Sequence, residues 1–241
     1  MDEARPLLIE RHGIDGRPHT VFAADTDAQA RQPGESFLQG HGHGAHVMRE
    51  RSSRGKDMTA PTIQPWPRIA SRHGEDLHVF RPRWDMVQNP RTRAQMERVV
   101  CETPDWVNVV AFTPERELVM IRQYRFGTER VELEIPGGLI DPGETPESSA
   151  VRELEEETGY AAARWTSLGS VAPNPAYQDN RCWHFLAEGA VPAGDQDLDP
   201  GEDIAVEVMS TEQVMEAIRS GAISHALCIT ALSHVLDLRS Q

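Results

Sequence analysis

The stretch GGLIDPGETPESSAVRELEEETGY, residues 137–160, joins a glycine pair and a turn sequence to a run of glutamates. Four glutamates fall within five positions near its end: Glu153, Glu155, Glu156 and Glu157. Like charges three or four residues apart destabilise a helix by roughly a few tenths of a kcal/mol per pair. We therefore expect a compensating partner, and water, an arginine side chain and a bound cation are the candidates.

The second half of this stretch predicts an amphipathic helix. Thr145 can cap its start, and Pro146 suits the first helical position. Thr158 and Gly159 provide the end of the helix. One face carries the apolar residues expected to pack on a sheet, namely Ala150, Val151 and Leu154.

A second face of the same helix carries Glu153, Glu156 and Glu157, at offsets of three and four. The glycine pair 137–138 and the turn 141–143 allow the backbone to approach a ligand closely. Loop carbonyls beside a row of carboxylates suit Mg²⁺, a hard cation that takes oxygen ligands. The alternative interpretation is a solvated acidic face.

Composition excludes several classes of function. The chain has 241 residues and a net charge of −14 at pH 7, which argues against nucleic-acid binding and against binding to anionic membranes. Its three cysteines form no CxxC pair, so neither a disulfide framework nor a zinc site is indicated. There is no apolar run of membrane-spanning length and no signal-peptide pattern, so we expect a cytoplasmic protein.

Residues 1–63 differ from the rest of the chain. They are rich in Arg, Gly, His, Asp and Ser, and we predict that they are a disordered extension. The alternative for the run HGHGAH, with His41, His43 and His46, is loose metal binding.

Residues 64–241 predict a single α+β domain. Alternating and apolar runs indicate strands at 77–87, 98–102, 106–112, 117–125, 131–136, 165–171, 181–188 and 204–210. Pro82 within the first of these indicates an edge strand or a break. Helices follow at about 211–220 and 225–238, and Ser224 is the expected N-cap of the second.

The residues from Gly138 to Tyr160 satisfy GX5EX7REUXEEXGU, where U is hydrophobic, at every fixed position. In this the chain resembles the Nudix hydrolase family. The resemblance implies a Nudix fold over residues 64–241, with a mixed β-sheet sandwiched between α-helices in an α/β/α arrangement. It also implies hydrolysis of a nucleoside diphosphate linked to another group.

The resemblance assigns roles by position. The implied metal ligands are Glu153 and Glu157 as the principal carboxylates, Glu156 beside them, and the carbonyl of Gly137. Arg152 and Glu144 are implied to orient the glutamates, while Glu155 is at a variable position and is expected to face solvent. The expected cofactor is Mg²⁺, with Mn²⁺ as a substitute.

Segments outside the motif are similar to the ADP-ribose pyrophosphatase branch of the family. These are Pro175, fifteen residues beyond Tyr160, and the flanking runs 121–138 and 198–210. The branch implies Mg²⁺-dependent hydrolysis of ADP-ribose or a related nucleoside diphosphate sugar to two monophosphates. It also implies a homodimer that exchanges N-terminal strands, here from residues 64–100. Ala176 and Tyr177 stand where some members carry glycines, which leaves the sugar and the base open.

Further candidates come from the residues around the motif. Glu202 in the sequence DPGED is the candidate catalytic base, with Asp203 second. Arg122 and Arg125 can reach phosphates, because guanidinium groups match phosphate oxygens, and structural ion pairs are the alternative. Tyr124, on the same strand face as Arg122, and Tyr177 are candidate substrate contacts. We interpret His184 and His225 as structural, because the proposed chemistry requires no histidine.

Two other functions remain open. One is a Nudix hydrolase of dinucleoside polyphosphates, NADH or nucleoside triphosphates. The other is a Nudix-like module that binds ADP-ribose without cleaving it, although such a module would not need the complete set of carboxylates.

Overall fold

The structure is a computed structural model that describes residues 8–12, 18–22 and 63–239. The chain divides into two units, residues 1–59 and 60–241. In the first unit, β1 (Leu8–His12) and β2 (Pro18–Phe22) form an antiparallel pair. The prediction of disorder for the rest of residues 1–63, and the run HGHGAH within it, lie outside the described residues and stay predictions.

The described residues of the second unit, 63–239, contain eleven further strands and three helices. A three-stranded antiparallel sheet has the order β3-β4-β5, with β3 (Arg68–His73), β4 (Arg81–Gln88) and β5 (Gln95–Glu102). The larger sheet consists of β6 (Trp106–Phe112), β7 (Leu118–Arg125), β8 (Arg130–Glu134), β10 (Arg164–Val171), β11 (Cys182–Glu188) and β13 (Ile204–Met209). A short pair is formed by β9 (Tyr160–Ala161) and β12 (Val191–Pro192).

The helices are α1 (Pro146–Thr158), α2 (Thr211–Arg219) and α3 (Ala226–Ser233). No helix in the described part of the chain is both long and apolar enough to cross a membrane.

The larger sheet is mixed. Its order is β10-β11-β6-β7-β13, and β8 pairs with β7; β6 and β11 are parallel, whereas the other pairs are antiparallel. Successive residues of β6 face opposite sides, so Val109 packs with Leu154 of α1, and Val110 packs in a second cluster with residues of α2 and α3. The sheet therefore lies between α1 and the α2–α3 pair, and the expected α/β/α arrangement is confirmed.

The first predicted strand begins later than the sequence indicates. Residues 77–80 belong to the connection between β3 and β4, where His78 has φ +67° and donates its N–H to the Asp76 carboxylate at 2.9 Å. Pro82 neither breaks the strand nor marks an edge, because β4 is the central strand and Pro82 is its second residue. The strand β3 was not predicted; all six of its residues are exposed, so burial imposes no alternation on them.

The last helix is shorter than predicted. α3 ends at Ser233, where the amides of His234 and Val235 donate to carbonyls three residues back. These are hydrogen bonds of the 3₁₀ type, so the α-helical pattern stops there. Its N-cap is His225 and not Ser224. The Ser224 hydroxyl instead donates to the Glu132 carboxylate at 3.2 Å.

Packing of α1 on the sheet predicts a large effect of truncating Leu154, which is fully buried. We expect Leu154→Ala to lower the free energy of unfolding by about 2–5 kcal/mol, because it removes a buried side chain and leaves a cavity. Urea denaturation followed by circular dichroism measures this. The control is Glu155→Ala on the exposed face of the same helix, for which we expect a change within about 0.5 kcal/mol. Equal effects of the two substitutions would contradict this packing.

Candidate functional site

The helix α1 begins and ends as its sequence predicts. The Thr145 hydroxyl accepts the Ser148 N–H at 3.1 Å, and the Ser148 hydroxyl accepts the Thr145 N–H at 2.9 Å, so the two residues form a capping box. At the other end, Gly159 has φ +70° and its N–H donates to the Glu155 carbonyl. A turn closed by Glu144 N–H to Asp141 O at 3.0 Å leads into the helix. These signals hold the glutamate row in one register.

Arg152 is the hub of the acidic face. Its Nε and one terminal nitrogen donate to the two oxygens of Glu144, each at 3.0 Å. The other terminal nitrogen donates to Glu153 at 2.9 Å and to Glu156 at 2.8 Å. A fifth bond reaches the Leu139 carbonyl at 3.0 Å. These five bonds can engage all five guanidinium N–H groups. The hydrogen-bonded carboxylates, Glu144 first among them, raise the pKa of Arg152.

Glu144 is oriented from two sides. Besides the paired bonds from Arg152, it accepts the Ser149 hydroxyl at 2.5 Å. The bonds from Arg152 and then from Ser149 lower the pKa of Glu144 to about 2. Glu144 is therefore ionised at neutral pH, and its contacts are to Arg152 and to the start of α1. Its orienting role stays a prediction.

Glu153 and Glu157 are one helical turn apart and both are buried, at 8% and 3% exposure. Burial raises the pKa of Glu153 to about 7 and that of Glu157 to about 8, and the charges of Glu202 and of the neighbouring glutamates add to both shifts. Glu156 is less buried, and Glu155 is exposed as expected. Two carboxyl groups are thus held in a place where their charges repel and water is scarce.

The glycine pair lies against these carboxyl groups. A Cβ atom on Gly138 would overlap the Glu153 carboxylate, and one on Gly137 would overlap the Val107 carbonyl. The Gly137 N–H donates to Glu157 at 2.8 Å. The carbonyls of Pro136 and Gly138 accept amides of β6. In an extended chain successive carbonyls point in opposite directions, so we expect the Gly137 carbonyl to point away from β6, on the side of Glu157.

This donor set fits a hard divalent cation. Burial and mutual repulsion favour the protonated forms of Glu153 and Glu157, and a cation between them would favour the ionised forms. The ligand atoms are carboxylate and carbonyl oxygens, which Mg²⁺ and Mn²⁺ prefer. The geometry brings together all the residues for which the sequence predicts metal binding.

The candidate base lies on the loop that follows β12. The Gln196 side-chain amide donates to the Glu157 carbonyl at 2.6 Å and to the Ile204 carbonyl at 3.1 Å, which fastens the loop to the end of α1. Glu202 lies near enough to both buried glutamates for its charge to raise the pKa of each. Its carboxylate accepts the Asp199 N–H at 3.1 Å.

The two candidate phosphate-binding arginines have carboxylate partners. Arg122 donates to Glu207 at 2.7 Å on the exposed surface. Arg125 makes two bonds to Glu134, at 2.9 and 2.8 Å, and lies within electrostatic range of Glu157. These are the ion pairs that the sequence left as the alternative.

The other candidate substrate contacts are Tyr124 in β7 and two residues of a loop. Tyr124 is exposed and packs edge-on against Phe126, with 5.4 Å between ring centroids. Pro175 and Tyr177 lie in the loop before β11, and the Tyr177 carbonyl accepts the Cys101 N–H at 2.7 Å. Their roles in substrate binding stay predictions.

Two residues of the site were missed in the sequence. Ser149 reads as an ordinary helix-surface serine, and Gln196 as one polar residue in a polar loop. Each makes its contact through the folded chain, to Glu144 and to the Glu157 carbonyl respectively. The sequence holds no local signal for either.

The raised pKa values predict how stability depends on pH in the metal-free protein. Folded Glu153 and Glu157 bind protons more tightly than the unfolded chain does, so the free energy of unfolding falls as pH rises toward their folded pKa values of about 7 and 8. The pKa of buried His184 is lowered to about 4, which has the opposite effect, but only below the ordinary histidine pKa of about 6.5. We therefore expect the Tm in the presence of a chelator to fall between pH 6.5 and pH 8.

The matched control is the variant with Glu153→Gln and Glu157→Gln. We expect its Tm to be nearly constant over the same pH interval, because its amides do not titrate. Identical pH profiles for the two proteins, measured by differential scanning calorimetry, would show that these carboxyl groups are not perturbed as described.

Comparison with known proteins agrees with this geometry. The NUDIX domain family matches residues 102–229. The ADP-ribose pyrophosphatase of Bacillus subtilis (strain 168) is 33% identical over 161 residues, which are 66% of this chain and 84% of that protein. The methanol dehydrogenase activator of Bacillus methanolicus is 30% identical over 152 residues, which are 63% of this chain and 82% of that protein.

Solved structures show the same fold. The crystal structure of an ADP compounds hydrolase superposes with a TM-score of 0.65 at 23% sequence identity, and it covers 73% of this chain and 95% of its own. The matched residues 102–229 include the glutamate helix, the glycine pair and the sheet that supports them. On these grounds the chain belongs to the Nudix family.

Proposed function

We propose that this protein is a Mg²⁺-dependent pyrophosphatase that hydrolyses ADP-ribose, or a related nucleoside diphosphate sugar, to two monophosphates. The observation that carries the proposal is the buried pair Glu153 and Glu157, held with Glu156 by one arginine beside a glycine-rich loop. The names of the B. subtilis relative and of the superposed hydrolase support the choice of substrate class.

The proposed metal ligands are the carboxylates of Glu153, Glu156 and Glu157 and the carbonyl of Gly137. Mg²⁺ is the proposed ion, with Mn²⁺ as a substitute. Bound there, the ion would neutralise pyrophosphate oxygens and acidify a water molecule. Arg152 and Glu144 position the carboxylates and do not contact the substrate, because their donors and acceptors are used in holding each other and the loop.

The proposed general base is Glu202, which would take the proton of the attacking water on its carboxylate. Its negative charge already acts on both buried glutamates, so it is near the reacting centre. The loop that carries it is exposed, which allows the side chain to exchange its bond from the Asp199 amide for one to water.

The proposed substrate contacts are Arg122 and Arg125 for the phosphates and Tyr124, Pro175 and Tyr177 for the nucleoside and sugar. A phosphate can compete with Glu207 for Arg122, because that ion pair is exposed and therefore weak. Ala176 and Tyr177 stand at positions where some members of the branch carry glycines, so the choice of sugar and base is left to the substrate panel.

We also propose a homodimer built on the sheet β3-β4-β5. Every residue of β3 is exposed, and apolar side chains on this sheet face solvent, among them Ile69 at 52% and Val99 at 45%. Such a surface is typical of protein–protein contacts. The three cysteines are all free thiols, which supports the proposed cytoplasmic location.

A substrate panel tests the proposed activity. Phosphate release would be measured with ADP-ribose, ADP-glucose, GDP-mannose, UDP-glucose, NADH and a diadenosine polyphosphate, each with Mg²⁺ and with alkaline phosphatase to act on new monophosphates. We expect strong turnover of ADP-ribose that is lost on chelation. Glu157→Gln should remain folded and lower kcat by at least about a hundredfold, because it removes a metal-binding carboxylate.

The panel distinguishes the alternatives. Turnover of another compound without turnover of ADP-ribose would keep the hydrolase and discard the substrate class. Binding of ADP-ribose without turnover of any compound would favour the non-catalytic module. Near-normal kcat in Glu157→Gln would remove the metal-site assignment.

Replacing the proposed base should affect catalysis without affecting folding. We expect Glu202→Gln to lower kcat by about 10²–10⁴-fold, because a positioned base contributes rate of that order. Asp203→Asn on the same loop is the control and should have a much smaller effect. The assignment fails if Asp203→Asn is the more damaging change.

A further inference from the structure

A second set of possible cation ligands lies where β8 meets α3, apart from the glutamate row. It consists of the Glu134 carboxylate, the His225 Nδ1 and the Cys228 Sγ, whose ligand atoms all lie within 4.8 Å of one another. Glu134 and Cys228 are buried, while the His225 side chain is about one third exposed. None of the three belongs to the proposed catalytic machinery.

Two of the three distances within this set are close to those that a tetrahedral ion requires. His225 Nδ1 lies 3.2 Å from Glu134 Oε2 and 3.4 Å from Cys228 Sγ. Zinc bonds of about 2.0 Å to nitrogen and oxygen and 2.3 Å to sulfur correspond to ligand separations of about 3.3 and 3.6 Å. Both contacts of His225 therefore match a shared ion, and the Glu134 and Cys228 ligand atoms lie within 4.8 Å of each other.

Hydrogen bonding accounts for only part of this geometry. The His225 Nδ1 holds at most one proton. If Nδ1 carries the proton and gives it to Glu134, it cannot accept from the Cys228 thiol; if it does not, its lone pair faces a carboxylate oxygen at 3.2 Å. A cation at the centre satisfies both contacts at once.

The supporting elements are rigid and suit a bound thiolate. His225 and Cys228 are three residues apart at the start of α3, so both project from one helix face. Burial and the charge of Glu134 raise the pKa of the Cys228 thiol, so the metal-free protein holds it protonated. Cys228 lies in the first turn of the helix and has a backbone hydrogen bond from Ile135, and both features would stabilise the thiolate that forms on metal binding. Arg125 uses two of the roughly four lone-pair positions of Glu134, which leaves acceptor positions for a metal.

We propose that Glu134, His225 and Cys228 form a zinc-type site, distinct from the Mg²⁺ site, with the fourth ligand a water molecule on the exposed side of His225. A thiolate and an imidazole select Zn²⁺ over Mg²⁺. The thiol proton is released to the buffer on binding, and the carboxylate and thiolate then face the two charges of the ion and the charge of Arg125, which leaves a net charge of +1 at the site.

The test uses the full-length chain with two other sets of ligands removed. In this background protein, His41, His43 and His46 are replaced by Asn, and Glu153 and Glu157 by Gln. The probe is Co²⁺, because a cobalt–thiolate bond gives a charge-transfer absorption that hard oxygen sites do not. We expect one equivalent of Co²⁺ to produce this absorption and one equivalent of Zn²⁺ to abolish it.

Substitutions assign the signal to the site. Cys228→Ser should remove the charge-transfer absorption, and Cys182→Ser, which removes the other fully buried thiol, should retain it. His225→Gln changes a partly exposed residue and leaves the Cys228 thiol in place. It should weaken Co²⁺ binding at least about tenfold, so the test stands even if Cys228→Ser does not fold. Absence of the absorption in the background protein, or its survival in both Cys228→Ser and His225→Gln, would overturn the proposal.

Discussion

The bonds of Arg152 are the constraint on which the rest of the site depends. One guanidinium group holds three glutamates of the motif and the carbonyl of Leu139, so the helix and the preceding loop share a single hub. Without it, carboxylates on adjacent helical turns would separate into solvent to escape their mutual repulsion. The repulsion between the glutamates is thus offset by hydrogen bonds from Arg152, and in the proposed mechanism by a metal ion as well.

The helix and its loop were predictable because their signals are local. Thr145, Pro146 and Gly159 determine the ends of α1 through bonds to neighbouring residues, and a motif of fixed spacing identifies the glutamate face. The α+β class followed from the apolar runs, and the sandwich of one sheet between helices followed from the resemblance that the motif carries. Where burial imposes no pattern, as along the exposed strand β3, the sequence held no signal to read.

Contacts between distant parts of the chain were not predictable. Arg125 pairs with Glu134 and Arg122 with Glu207, and both acidic partners are unremarkable members of strand sequences. The neighbourhood of His225 shows the same limitation. Its sequence contains no paired cysteines and no zinc spacing, because Glu134 comes from a strand some ninety residues earlier. The start of α3 is a further example, because Ser224 is the better N-cap by residue type but His225 occupies that position.

The Gln196 bridge has a consequence for how the protein can diversify. Its amide fastens the chain at the end of α1 and at the first residue of β13, so the segment between them is anchored at both ends. The composition of residues 198–201, which precede the proposed base Glu202, can then change without moving the carboxylate row, because exposed loops between fixed ends tolerate substitution. Substitutions in this segment can therefore change the surface beside the site during evolution, while Arg152 and the carboxylate row stay unchanged.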